Sequence, residues 1–217
     1  MRRPFLYIAI PIVVVLALLA GRKVVHAPTP PPDGQALYAR MCALCHGDQG
    51  QGYTAPGSVA LANPTFLAIA DDTYLFENTA RGRPGTRMSA WAESHGGPLS
   101  DEQVRAIVGY MRQWQTETSV DVSDASVDGD PGRGAEVYAM NCAVCHGEAG
   151  EGLDESPAAP DGAPSLNNPV FLSTASDGFI QYSIAEGREE TPMPAYTGAL
   201  TEQEIDDLVV LIRSWQE

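Results

Sequence analysis

The chain has 217 residues, with 13 basic side chains against 28 acidic ones and a formal net charge of −15. That balance argues against nucleic acid or an anionic lipid surface as a partner and favours a basic protein. The 21 glycines and 17 prolines call for many loops, and the length suits one large domain or two small ones.

The first segment reads as a membrane or targeting signal. Phe5 to Gly21 carries no charge and is bracketed by Arg2/Arg3 and Arg22/Lys23. At about 17 residues the run sits at the short end of a spanning helix, yet it exceeds a signal-peptide core. Pro11 is tolerable inside a membrane helix. Val25-His26-Ala27 resembles a cleavage site, but the following Pro28 hinders cleavage. Residues 1–26 are therefore expected to form a single-pass N-terminal transmembrane helix, with a cleaved signal as the alternative. Either way the rest of the chain is exported. Residues 27–33, rich in proline, form an extended spacer.

Beyond the spacer the sequence repeats. Gly34–Gly52 matches Gly134–Gly152 at an offset of 100. Asn63–Leu67 matches Asn168–Leu172, and Gly82-Arg83 matches Gly187-Arg188, both at 105. Leu99–Gln115 matches Leu200–Gln216 at 101. The preserved order marks a duplicated domain, with copies at 34–115 and 131–217. Residues 116–130 between them are polar and acidic, without apolar periodicity, and read as a flexible linker.

Each copy reads as helices joined by long loops. Ser100 with Gln103, and Thr201 with Glu204, have capping-box spacing. Val104, Ile107, Val108 and Met111, like Ile205, Leu208, Val209 and Ile212, recur at helical spacing. No stretch alternates with a strand period, so the expected fold is all-α, twice. Each copy is marginal for a core of its own, so something else should fill the interior.

All four cysteines fall in two C-x-x-C-H motifs, Cys42/Cys45/His46 and Cys142/Cys145/His146. On a helix, positions i, i+3 and i+4 share a face, and this pattern reads as covalent attachment of a c-type haem. Two sulfurs bond the porphyrin while the histidine reaches the iron. The rivals fit worse. A thioredoxin-like site needs a βαβ pattern, a zinc site would have to join the two copies, and a disulfide framework leaves each histidine unexplained. For the sixth iron ligand, Met88 and Met193 occupy matching loop positions outside any apolar run. His95 is the alternative for the first haem, and His26 fits poorly beside the spacer. Met41 and Met140 adjoin the attachment motif, and Met111 belongs to a helix core. His/Met ligation raises the reduction potential and leaves no open coordination position, which favours electron transfer over catalysis.

Each copy resembles a class I cytochrome c domain over nearly its full length. Gly34, Leu37 and Tyr38, like Gly134, Val137 and Tyr138, resemble the family's N-terminal helix, which crosses the closing helix. Met193-Pro-Ala-Tyr196 resembles its methionine loop, although Ser89 follows Met88 in the first copy. The resemblance implies a proline carbonyl that holds the haem histidine's ring N–H. Pro164 matches it, whereas Val59 occupies the register in the first copy, leaving Pro56 or another group to hold His46. Trp91 and Tyr196 resemble the family's aromatic near the haem propionates, with simple loop packing as the plainer alternative.

The expected whole is thus two tandem cytochrome c-like domains around two c-type haems, preceded by a transmembrane helix. It would carry single electrons on the periplasmic side of a bacterial cell membrane, between a respiratory or photosynthetic complex and a soluble carrier or oxidase. A dihaem peroxidase would need an iron without methionine and distal acid–base residues, and a haem-based sensor would need a signalling domain. Charge divides the copies, with −2 over residues 33–115 and −13 over 130–217. The first copy is expected to dock on a membrane complex and the second to meet a basic soluble cytochrome.

Overall fold

The computed structural model describes residues 30–123 and 125–216. The expected transmembrane helix of residues 1–26 lies outside them. Among the described residues no helix is long and apolar enough to cross a membrane. No strand forms among them either; three isolated bridges, Ala92–Leu99, Leu153–Ala163 and Thr197–Leu200, only pin loops.

In the first copy α1 is Gly34–Met41, α2 Ala43–His46, α3 Pro64–Ile69, α4 Asp72–Arg81 and α5 Asp101–Met111. The second copy repeats the order with α6 Pro131–Asn141, α7 Ala143–His146, α8 Pro169–Thr174, α9 Asp177–Glu186 and α10 Glu202–Ser214. The caps explain the starts. Asn63 and Asn168 accept backbone N–H groups at the heads of α3 and α8, each with proline in the first turn. Both capping boxes form as their spacing requires, at Ser100/Gln103 and Thr201/Glu204. The apolar stripes read from α5 and α10 are buried, Met111 included.

The first and last helices of each copy cross at backbone contact. A Cβ on Gly34 would stand 2.0 Å from the Ala106 carbonyl oxygen, and one on Gly134 would stand 2.2 Å from that of Asp207. Only glycine fits such a crossing. Next to it Tyr38 packs edge-on to Trp114 at 5.0 Å, and Tyr138 packs edge-on to Trp215 at 5.3 Å. An arginine on each closing segment then ties down the turn between the two middle helices. Arg112 pairs with Asp72 at 2.6 Å and donates to the carbonyls of Leu67 and Ala70. Arg213 does the same with Asp177, Leu172 and Ala175.

The two copies lie within one compact unit, Pro32–Glu217, and they exchange equivalent contacts. Asn63 Nδ2 donates to the Glu189 carbonyl at 2.8 Å, and Asn168 Nδ2 to that of Pro84 at 2.9 Å. Tyr74 stacks on Phe179 at 4.6 Å, with Phe66 and Phe171 edge-on around them. These pairs share the 105-residue offset, so the seam is a pseudo-two-fold interface.

The segment expected to be a flexible linker is tied to both copies. Val120 N–H donates to the Ala68 carbonyl at 2.8 Å, and the Ser176 hydroxyl to that of Val122 at 2.8 Å. Val122 and Val127 pack on the core, an anchorage that three scattered valines among acids do not announce as periodicity. Its end is fixed by Asp207, buried in α10. Arg133 donates to both Asp207 carboxylate oxygens at 2.7 Å, and so does the Asp130 N–H to one of them.

Two outcomes follow from these contacts. Gly34→Ala or Gly134→Ala forces the helices apart, costing about 1–3 kcal/mol as overpacking does, read as a lower midpoint in chemical denaturation. The bond from Arg133 holds the Asp207 carboxyl below its ordinary value. Its stabilisation is therefore complete above the unfolded carboxylate range, about pH 4, and is lost as pH falls through the lower folded-state value. Asp207→Asn should lower the unfolding temperature at pH 7, and its gap from the parent should close in acid.

Candidate functional site

The turn carrying each C-x-x-C-H motif is built by its neighbours. The Tyr38 hydroxyl donates to the Gly47 carbonyl at 2.9 Å, and that of Tyr138 to Gly147 at 2.8 Å. The turn closes with His46 N–H to the Cys42 carbonyl at 3.0 Å and Gly47 N–H to that of Ala43 at 2.8 Å. Gly47 and Gly147 then leave the helix at φ +80° and +83°, a region glycine enters without strain.

The histidines are fixed by carbonyls. His46 Nδ1 lies 3.0 Å from the Val59 carbonyl oxygen, and His146 Nδ1 lies 2.9 Å from that of Pro164. A carbonyl only accepts, so Nδ1 carries the proton and Nε2 is left with its lone pair. Burial holds both imidazoles below the ordinary histidine value, the carbonyl bond opposing it in part. Burial, helped by the second cysteine, also pushes Cys42 and Cys142 up to about 11. None of the four cysteines forms a disulfide.

One continuous cavity of about 730 Å³ serves both copies, and its wall carries Cys42, Cys45, His46 and Met88 together with Cys142, Cys145, His146 and Met193. Pro164 and Tyr196 also line it. Trp91 is not on its wall; its backbone N–H donates to the carbonyls of Thr79 and Ala80, as that of Tyr196 does to Ile184 and Ala185. Tyr196 donates to the Asn141 carbonyl at 2.8 Å, beside the second attachment motif. His95 is exposed in a 3-10 turn, Glu93–His95, away from the cavity.

The donor set fits a covalently held haem. Each copy offers two thiols, an imidazole with its Nε2 unprotonated and a thioether, all on the wall of a largely apolar chamber. The repeat register sets Val59 opposite Pro164, and its carbonyl, which needs no particular side chain, holds His46 in place of Pro56. Arg83 and Arg188 also line the cavity; their only trace in the sequence is the matched Gly-Arg pair.

Known proteins agree with this architecture. The chain matches the family described as cytochrome C oxidase, cbb3-type, subunit III, once over residues 29–111 and again over 129–212. It is 28% identical over 199 residues to the cbb3-type cytochrome c oxidase subunit CcoP of Azospirillum sp. (strain B510), covering 83% of this chain and 60% of that protein. It is 26% identical over 183 residues to the cytochrome bc1 complex cytochrome c subunit of Mycobacterium tuberculosis (strain ATCC 25618 / H37Rv), covering 75% and 63%. The chain thus spans about 60% of the length of the curated relatives it matches. A chain of the Kuenenia stuttgartiensis reducing HAO-like protein complex shares the fold, with a TM-score of 0.51 at 21% identity, over 85% of this chain and 96% of that one. With its two matched segments lying over the two cysteine–histidine motifs, the chain belongs to the cbb3-type cytochrome c oxidase subunit III family, as a tandem class I cytochrome c.

Proposed function

We propose that the chain is a dihaem electron carrier, passing single electrons between a membrane respiratory complex and a second redox protein. The observation that carries this reading is the continuous cavity, whose wall holds two complete sets of thiols, imidazole and thioether. The chain carries two c-type haems, one per copy. When bound, each haem iron supplies a one-electron couple, and the protein supplies attachment, orientation and electrostatics.

The residues divide that work. Cys42 and Cys45, and Cys142 and Cys145, attach the haems. Val59 and Pro164 orient His46 and His146 and leave Nε2 free, so that each imidazole would hold the haem iron. Met88 and Met193, on the same wall, would supply the second iron ligand of each haem and keep substrates off the metal. Burial of His146, partial burial of His46 and the apolar walls limit reorganisation of water when charge changes. The N-terminal apolar run, residues 5–21, anchors the domains at a bacterial cell membrane, on its periplasmic face. The relatives named for cbb3 oxidase and for the bc1 complex support a place beside such a complex.

Charge supports different partners for the two copies. The first carries −2 over residues 33–115 and suits a fixed seat on a membrane complex. The second carries −13 over residues 130–217 and steers a basic soluble carrier.

The ligand assignment is tested by absorbance. Met88→Ala and Met193→Ala should each remove about half of the methionine–iron band and lower one of two potentials, as loss of His/Met ligation implies. A variant that keeps the full band would reassign that ligand. The partner assignment is tested by stopped flow against a basic cytochrome, with rates expected to fall steeply as salt rises. A rate insensitive to salt would remove the role given to the acidic copy.

A further inference from the structure

Most arginines of this acidic chain have an obvious place. Arg81, Arg87, Arg112, Arg133 and Arg213 form ion pairs with carboxylates. Arg40 and Arg105 are exposed to water. Arg83 and Arg188 are different. Both are half-buried at the seam, both line the cavity, and neither lies within ion-pair distance of a carboxylate among the described residues.

Their placement is reciprocal. Each follows a glycine with positive φ, Gly82 at +65° and Gly187 at +62°, and each guanidinium lies against the other copy. Arg83 Cζ lies 5.1 Å from the Phe171 ring centre, and Arg188 Cζ lies 5.8 Å from that of Phe66. Arg83 donates to the Tyr74 hydroxyl at 3.1 Å, and Arg188 to the Ser183 hydroxyl at 2.7 Å and the Gly187 carbonyl at 2.9 Å. A guanidinium has five N–H donors, so each retains several. Burial pulls Arg188 down to about 10, against the pull of Tyr74, Tyr182 and Tyr53, which leaves it charged at neutral pH.

A buried cation without an anion is costly. Aromatic faces and neutral acceptors recover only part of that cost. Two such cations at equivalent positions on one cavity wall call for anions inside the cavity. The cofactors attached there bring them, since every haem carries two propionate carboxylates, and the planar fork of arginine matches a carboxylate bidentately.

We propose that Arg83 and Arg188 form a paired carboxylate receptor at the seam, holding propionate groups of the two haems and fixing both cofactors against one interface. The inference rests on the haem reading above. Both arginines are positioning residues, acting on the irons through the carboxylates they neutralise.

The test uses the matured full chain, with Arg83→Gln and Arg188→Gln compared with Arg83→Lys and Arg188→Lys. Covalent haem is quantified first, and a parent without two haems would remove the underlying reading itself. Given two haems, each Gln variant should lower a potential, because an unpaired propionate favours the ferric iron. The expected shift is about tenfold in the oxidised-to-reduced ratio at fixed potential, about 59 mV for a one-electron couple. Each Lys variant keeps the charge and should lie closer to the parent. Potentials unchanged in both Gln variants, or Lys variants indistinguishable from Gln ones, overturn the receptor. If the Gln variants fail to take up haem, redox-difference infrared spectra of the parent with 13C-labelled propionates decide. A carboxylate stretch shifted by guanidinium pairing supports the receptor, and one typical of a solvated propionate overturns it.

Discussion

The structure depends first on the absence of a side chain at Gly34 and at Gly134. With no Cβ there, α1 lies directly on the backbone of α5, and α6 on that of α10. That contact sets how far Tyr38 and Tyr138 reach, and their hydroxyls take the carbonyls of Gly47 and Gly147. Those carbonyls end the C-x-x-C-H turns. The attachment chemistry is therefore held by a helix crossing on its outer side, while Val59 and Pro164 hold the histidines from the loops. The buried apolar side chains of both copies join in one core beside the chamber. The walls face a chamber, and the cofactor completes the packing that so short a sequence lacks.

The seam adds a second constraint. Asn63 and Asn168 use their carboxamide oxygens to cap their own helices and their amide nitrogens to bond the opposite methionine loop. One side chain thus couples a helix start in one copy to the loop bearing the proposed iron ligand in the other. Arg83 and Arg188 issue from those same loops. A shift in either methionine loop is consequently felt across the interface, so the two chambers are mechanically joined as well as spatially continuous.

Much of this was legible in the sequence because helix starts and attachment motifs are local. The capping boxes, the stripes of α5 and α10, and the paired cysteines with their histidines need only spacing to be read. What escaped reading is made by the backbone or by distant pairs. The Val59 carbonyl replaces a proline carbonyl without leaving a side-chain signature. The tie of Val120 and Val122 to both copies involves main-chain groups, so an acidic segment that reads as free is anchored. The seam did leave one trace. Asn63 to Arg83 and Asn168 to Arg188 keep a single offset of 105 while the flanking matches keep 100 and 101, and a block that moves as a unit is the one that makes the interface.

The same block keeps two similar centres on surfaces of different charge. The contacts repeated at the seam, two carboxamides, two guanidiniums and the Tyr74–Phe179 stack, keep the chambers alike in their shared wall. Some contacts between the copies have no counterpart, among them Asn78 Nδ2 to the Thr174 hydroxyl at 2.9 Å. Arg87 pairs with Asp154 at 2.9 Å, with both side chains largely exposed, and the matching position in the second copy is Pro192. Exposed pairs of that kind contribute little stability, so they can diverge without disturbing the interior. The surface charges diverge likewise, from −2 to −13. Symmetry is retained in the carboxamides, guanidiniums and aromatic stack of the seam and lost in Arg87–Asp154 and in net charge, so the duplicated domain keeps two like sites on unlike surfaces.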